Sequence, residues 1–123
     1  MMALTLDHVQ IAMPPGREDE VRAFFGVLLG LVEIDKPEAL AGRGGCWFAA
    51  GERQLHLGVE ADFRPARKAH VALATDELDA LRARLVAAGR PIGEDMPIGG
   101  RRRFFTEDPF GNRLELIERE AGA

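Results

Sequence analysis

Hydrophobic residues recur along the chain with either the alternating spacing of a strand or the three-to-four-residue spacing of a helix. The same order of strand-like and helix-like segments occurs twice. In the first half, alternation predicts a strand at residues 4–13, and helical spacing of apolar side chains predicts a helix at residues 17–29. In both halves a strand, a helix and three short strands are predicted in that order. The remaining predicted elements are strands at 31–34, 45–49 and 54–59, a strand at 69–74, a helix at 76–88 with Asp76 as its N-cap, and strands at 91–94, 102–106 and 113–118.

Chemically distinctive residues recur at nearly the same offset, which indicates an internal repeat. His70 follows His8 by 62 residues, and Glu115 follows His56 by 59 residues. Self-similarity across several elements is stronger support for a fold than any single predicted element. We therefore predict an α+β fold, with two tandem βαβββ modules forming a curved, incomplete barrel of mixed β-sheet with the helices outside. The single domain, residues 1–123, would comprise half-modules 1–60 and 69–120 joined by a connector at 61–68.

Composition narrows the classes of partner. The chain has 123 residues, of which 46% are hydrophobic and 29% charged, so one folded domain with a real core is expected. A net charge of −4 with interspersed signs argues against a nucleic-acid partner. Cys46 is the only cysteine, which excludes an intramolecular disulfide, and its apolar surroundings predict a buried side chain. Without a signal-peptide pattern or an apolar run of about 20 residues, we expect a cytoplasmic protein with no membrane partner.

Strand parity places an ionisable side chain at the centre of one face in four predicted strands, at His8, His56, His70 and Glu115. Such groups are costly inside a sheet unless something compensates their charge or polarity. Three imidazoles and one carboxylate suit zinc, nickel, manganese or iron, so we predict one divalent metal ion bound by these residues. A single histidine on a strand is more often structural, and His56 is also interpreted as a neighbour of the ligands or a substrate contact.

Four stretches resemble the vicinal oxygen chelate superfamily, which includes glyoxalase I, fosfomycin-resistance proteins, methylmalonyl-CoA epimerase, extradiol dioxygenases and bleomycin-resistance proteins. The resemblance covers nearly the whole chain, and its last motif is the most specific. It implies that His8, His56, His70 and Glu115 occupy the family's four metal positions, and that the chain forms a homodimer. The stretches are Leu6-Asp7-His8-Val9, Leu55-His56-Leu57, Ala69-His70-Val71-Ala72-Leu73 and Asp108-Pro109-Phe110-Gly111-Asn112-Arg113-Leu114-Glu115-Leu116.

Two features depart from the better-known members of that family. Glyoxalase I carries a carboxylate where this chain has His56, and the family's epimerases often carry a glutamine there. The chain contains no tyrosine, whereas some dioxygenase sites use one beside the metal. Bleomycin-type binders usually lack the metal ligands that this chain retains. Ordinary glyoxalase and dioxygenase chemistry are therefore both less favoured than another activity of the glyoxalase type.

The leading hypothesis is a metal-dependent isomerase or lyase acting on a small oxygen-rich metabolite through a metal-stabilised enediolate or alkoxide. Glu115, or a water on the metal, would be the general base. Substrate contacts are predicted for Gln10, Arg113 and Phe105, although Arg113 is equally well explained as a solvated charge or an ion-pair partner. Phe104 and Phe105 are expected to divide between the core and the pocket.

Two other readings of the sequence stay open. The first is a non-catalytic protein, similar to bleomycin-resistance proteins, that binds a drug or a metabolite in a dimer groove. The second is a purely structural domain, which would leave four inward polar groups unexplained. The connector residues Arg64, Arg67 and Lys68 form a second candidate anion contact, or simply a charged loop. Metal content is the observation that separates the enzyme from the binder.

Overall fold

The computed structural model of the chain describes residues 2–122, which divide into two compact units. The N-terminal unit extends to Arg64, and the C-terminal unit begins at Pro65. Each unit contains one four-stranded mixed sheet and few helices. The predicted α+β fold class is therefore confirmed. No helix in residues 2–122 has the length and apolar character needed to cross a membrane.

The N-terminal unit contains four strands, β1 (His8–Met13), β2 (Val32–Ile34), β3 (Cys46–Ala50) and β4 (Arg53–Val59). They form one sheet with the strand order β1-β4-β3-β2. The pairing of β1 with β4 is parallel, and the other two pairings are antiparallel. A parallel pair needs a crossover between its strands, and the helical segment and β2–β3 lie between β1 and β4 in sequence.

The helix predicted at residues 17–29 exists, but most of it is not an α-helix. A short α-helix, α1 (Glu18–Val21), continues as a π-helical segment over Arg22–Leu28. The Leu29 backbone N–H donates to the Phe24 carbonyl, five residues earlier, at 2.9 Å. This wider turn accompanies the burial of the adjacent rings of Phe24 and Phe25. Periodicity alone cannot distinguish the two helix types over seven residues.

The C-terminal unit contains the elements β5 (Val71–Thr75), α2 (Leu78–Ala87), β6 (Gly93–Glu94), β7 (Arg103–Glu107) and β8 (Arg113–Glu118). Its strands repeat the same sheet, with the order β5-β8-β7-β6. The pairing of β5 with β8 is parallel, and the others are antiparallel. The α-helix α2 follows β5 and contacts β8.

Several predicted boundaries are wrong for identifiable reasons. The strand predicted from residue 4 begins at His8, because pairing with β4 starts there and Leu4 and Leu6 remain exposed. The strand predicted from residue 69 begins at Val71, so His70 precedes it. A 3₁₀ segment at Glu38–Arg43 was not predicted, and it buries no side chain that would have produced a periodic pattern.

The predicted N-cap of α2 is also wrong. The N-cap residue is Glu77, and its side chain makes no capping hydrogen bond. Its backbone N–H donates instead to Thr75 Oγ1 at 3.0 Å. The carboxylate of Asp76 is 3.2 Å from Arg119 Nε, so this side chain pairs with an arginine rather than with the helix.

Each unit has its own set of buried apolar side chains. In the N-terminal unit, Phe25 from the π-helical segment packs near Phe48 of β3, with ring centroids 5.9 Å apart. Cys46 is buried as predicted, and desolvation raises the pKa of its thiol above the usual value. In the C-terminal unit, Leu78 and Leu85 of α2 are buried, as are Phe104, Leu114, Leu116 and Ile117 of the sheet.

Candidate functional site

The four predicted metal ligands fall into two pairs, and each pair lies within one unit. His8 and His56 meet in the N-terminal unit, and His70 and Glu115 meet in the C-terminal unit. Both pairs lie on the parallel strand pair of their sheet, β1 with β4 and β5 with β8. His70 immediately precedes β5 and still reaches Glu115 on the neighbouring strand.

In the N-terminal unit, His56 is held inside a stack of three rings. Its imidazole lies parallel to the Trp47 indole, with centroids 3.8 Å apart and planes 3° apart. The opposite face stacks on His8, at 4.4 Å and 19°. Trp47 is directly opposite His56 in the β3–β4 register, whereas His8 is diagonal to it across β1 and β4. Trp47 is therefore a ring platform for His56 as well as a partly buried packing residue.

Hydrogen bonds determine which nitrogen of each imidazole in this stack can bind a ligand. The Asp7 carboxylate can only accept, so the 2.8 Å contact means that His8 Nδ1–H donates to it and leaves Nε2 as the acceptor nitrogen. His56 Nε2 donates to Gln54 Oε1 at 2.9 Å. Burial, followed by the charge of His8, lowers the pKa of His56, which favours its neutral form. His56 could therefore bind a metal through Nε2 only if Gln54 moved away.

In the C-terminal unit, an imidazole nitrogen faces a buried carboxylate oxygen. His70 Nδ1 lies 3.0 Å from the Lys68 carbonyl oxygen, which can only accept, so Nδ1 carries a proton. His70 Nε2 lies 2.9 Å from Glu115 Oε1, and Glu115 is 4% exposed. In the neutral imidazole two lone pairs would face each other at this distance. A proton or a cation between them is required to make the contact favourable.

Arg103, which was not predicted as a site residue, also contacts Glu115. Arg103 Nη1 lies 3.6 Å from Glu115 Oε1, and its side chain is 12% exposed. The same guanidinium pairs with Asp95 at 3.3 Å and donates from Nε to the Met96 carbonyl at 2.9 Å. Strand parity could have identified Arg103, because it shares a face of β7 with Phe105, which pairs directly with Glu115.

The predicted substrate residues of the C-terminal unit line a cavity of about 580 Å³. The Arg113 guanidinium lies over the Phe105 ring, 3.7 Å from its centroid, and Arg67 lines the same cavity. His70 meets the Phe105 ring edge-on at 5.1 Å. Phe104 is 1% exposed and Phe105 is 7% exposed, and of the two only Phe105 lines the cavity.

Gln10, the remaining predicted substrate residue, lies in the N-terminal unit. It lines a smaller depression of about 250 Å³ together with Trp47 and Lys36. Its amide covers Gly58, where an added Cβ would lie 2.5 Å from Gln10 Nε2. Glycine at position 58 therefore makes room for this side chain on the exposed face of the strand pair.

The donor atoms suit a divalent metal, although each unit brings only two candidate ligands together. Within either unit, the described residues form no group of three or more histidine, cysteine, aspartate or glutamate side chains that could hold a metal ion. The available Nε2 atoms of His8 and His70 and the carboxylate of Glu115 are nevertheless donors that borderline divalent ions prefer. Two donors in one unit are too few for a closed site, so each pair would need ligands from outside its own unit.

Comparison with known proteins identifies relatives of this arrangement. The family model described as Glyoxalase/Bleomycin resistance protein/Dioxygenase superfamily matches residues 5–116. A crystal structure described as that of a glyoxalase family protein from Bacillus anthracis is 42% identical in sequence, with a TM-score of 0.91 and 98% of both chains covered. No curated protein matches the chain.

Two more distant structures share the fold. The fosfomycin resistance protein FosX from Listeria monocytogenes is 16% identical, with a TM-score of 0.75, covering 98% of this chain and 97% of that one. A lactoylglutathione lyase from Agrobacterium tumefaciens is 20% identical, with a TM-score of 0.66 and coverage of 89% and 90%. At these identities the likeness extends to the fold alone.

Proposed function

Because the chain belongs to the Glyoxalase/Bleomycin resistance protein/Dioxygenase superfamily, we propose that it is a metal-dependent enzyme of the isomerase or lyase type. Members of this superfamily include glyoxalases, fosfomycin-resistance proteins and dioxygenases, and they commonly bind a divalent metal and small molecules. The substrate would be a small oxygen-rich metabolite. One of the structures with the same fold is a lactoylglutathione lyase, so this fold is compatible with lyase chemistry.

The observation that carries the proposal is the contact between His70 and Glu115. The Lys68 carbonyl fixes the proton of the neutral imidazole on Nδ1, so His70 Nε2 is aimed at a buried carboxylate oxygen with no proton of its own to share. A metal ion would satisfy both atoms at once. The neutral imidazole of His8 is in the same tautomer, since Asp7 fixes its proton on Nδ1 and leaves Nε2 available to a metal. Ligating histidines characteristically donate their other ring N–H in this way.

The proposed ligands are therefore His8, His70 and Glu115, with His56 as the fourth if Gln54 releases its Nε2. The metal ion would be zinc, nickel, manganese or iron, and it would act as a Lewis acid that stabilises an enediolate or alkoxide. Arg103 Nη1, 3.6 Å from Glu115 Oε1, would help to orient the carboxylate by charge. Glu115 is the proposed general base, taking a proton from the substrate at its carboxylate.

The decisive measurement is the metal content of protein purified at low ionic strength without chelator. We expect close to one divalent ion per chain, and a melting temperature that falls on addition of chelator, because bound metal stabilises the folded state. His70→Ala and Glu115→Gln should each weaken metal affinity by about tenfold or more. Glu107→Gln is the matched control, since Glu107 is an exposed carboxylate at the end of β7.

The contrary results are equally concrete. Protein that binds none of the four metals when they are added, and that melts at the same temperature with and without chelator, would favour a non-catalytic small-molecule binder. Metal binding that is unchanged in both His70→Ala and Glu115→Gln would remove these residues from the proposed site. Circular dichroism of each variant establishes that a loss of metal is not a loss of fold.

A further inference from the structure

We infer that the cavity of the C-terminal unit is an anion subsite, in which Arg113 and Arg67 bind a carboxylate or phosphoryl group of the substrate. This inference rests on the proposed function and specifies its substrate class as a small anionic molecule. The cavity volume of about 580 Å³ lies within the usual range for small-molecule sites. Its lining combines the rings of Phe105 and Phe110 with two arginines.

Arg113 is positioned for ligand binding and not neutralised by the protein. Its guanidinium carbon lies over the Phe105 ring, 3.7 Å from the ring centroid. Among residues 2–122, no carboxylate forms an ion pair with Arg113 within 4.0 Å. A guanidinium held on an aromatic face keeps its N–H edge available for a planar, two-point contact with an oxyanion. The ring contact thus fixes orientation without consuming hydrogen-bond donors.

The fold brings the two arginines to one cavity through a specific backbone link. The Ala66 N–H donates to Asn112 Oδ1 at 2.9 Å, and the Arg113 N–H donates to the Ala66 carbonyl at 2.8 Å. Arg67 directly follows Ala66, and Arg113 directly follows Asn112. These hydrogen bonds therefore bring the segment before β5 and the start of β8, with their arginines, to the same cavity. Arg67 is exposed, which leaves its side chain free to reach a ligand.

The acidic side chains around the cavity do not cancel these charges. Glu94 is already paired with Arg82. Glu107 is directly opposite Arg113 in the β7–β8 register, but it lies beyond ion-pair distance. The Arg103 guanidinium also lies near this ring, 5.3 Å from its centroid, and it pairs with Asp95 and Glu115. Of the charged side chains that line the cavity, Glu94 is therefore paired, whereas Arg113 and Arg67 form no ion pair with a described carboxylate.

The test uses two probes of the same size that differ in charge, lactate and lactamide, and inorganic phosphate as a third. Chemical shifts of the Arg113 and Arg67 Nε–H groups and of nearby backbone amides are followed by NMR at constant ionic strength, with chelator present. We expect lactate or phosphate to shift these signals and lactamide to leave them unchanged. The tighter of the two anions identifies the substrate group as carboxylate or phosphoryl.

Three variants make the result specific. Arg113→Gln should weaken anion binding at least fivefold, and Arg113→Lys, which keeps the charge but loses the planar fork, should weaken it less. Arg119→Gln is the matched control, because this arginine of the same unit is paired with Asp76 and does not line the cavity. Equal binding of lactamide and lactate, or unchanged anion binding by Arg113→Gln, would overturn the inference.

The test of the anion subsite can succeed or fail independently of the test of metal binding. His70→Ala and Glu115→Gln should lose metal and still bind the anion, since neither side chain lines the cavity. Anion binding without any metal binding would contradict the proposed metal-dependent enzyme and still support the anion subsite. Metal binding without anion binding would defeat the subsite alone.

Discussion

At the scale of single residues, hydrogen-bond direction carries more information about the site than residue type does. His8 and His70 both donate from Nδ1, one to the adjacent Asp7 carboxylate and the other to the Lys68 carbonyl. The first donation could be anticipated, since Asp7 and His8 are neighbours in the sequence. The second could not, because its acceptor belongs to the backbone and depends on the conformation of the segment before β5.

Glu18 provides a prediction about the dependence of stability on pH. Its carboxylate accepts from the Gly45 N–H at 2.9 Å, and this bond is the main reason that the pKa of Glu18 lies below its usual value. Gly45 has a φ of 84°, and an added Cβ would collide with the Leu57 carbonyl oxygen, so the backbone that presents this N–H requires glycine at position 45. A lowered folded pKa stabilises the protein above pH 4.5, and that stability is lost as the pH falls below 4.5.

Accordingly, Glu18→Gln should lower the free energy of unfolding by about 1 kcal/mol at pH 7, because a charged acceptor is replaced by a neutral one. The difference from the wild type should be constant above about pH 5.5 and should shrink as the pH is lowered from about 5 toward 3. Urea unfolding between about pH 7 and pH 3 measures this, with Glu52→Gln, at an exposed turn, as the control. A difference that is the same throughout this range would show that the carboxylate charge is not the cause.

At the scale of elements, the turn between β7 and β8 determines where the functional side chains of the C-terminal unit lie. Asp108 and Asn112 are both almost fully buried. Asp108 Oδ1 accepts from the backbone N–H groups of Phe110 and Asn112, and its Oδ2 accepts from Asn112 Nδ2. Strands on both sides of this segment were predicted from the sequence, but the contact of Asn112 with Ala66 was not. That contact joins residues 46 positions apart, and turn propensity is a local property.

Truncation of Asn112 should therefore be costly for the C-terminal unit. Asn112→Ala removes the donor to Asp108 Oδ2 and the acceptor of the Ala66 N–H, leaving two polar groups without these partners. We expect the free energy of unfolding to fall by about 2–6 kcal/mol, at roughly 1–3 kcal/mol for each of the two polar groups that lose a partner. Chemical denaturation measures it, and Asp62→Ala, in an exposed turn, is the control. A loss below 1 kcal/mol would mean that water replaces both bonds.

At the scale of the whole chain, the internal repeat was the most informative feature of the sequence. Its near-constant offset predicted two equivalent halves, and each unit has the same strand order and the same parallel pair. The details that the repeat did not supply are those set by non-local contacts. The π-helical turn follows the burial of Phe24 and Phe25, and the role of Arg103 depends on the register between β7 and β8.

The oligomeric state is the last property to predict for the whole chain. Members of the superfamily often form dimers, and we expect this chain to form a homodimer. Size-exclusion chromatography with light scattering should then give roughly 27 kDa, twice the chain mass of 13.5 kDa. We expect the same mass with chelator present, because a stable interface usually buries about 800 Å² on each partner and does not depend on one ion. A mass of 13.5 kDa would contradict the dimer. A dimer that dissociates only with chelator would mean that the metal ligands come from two chains.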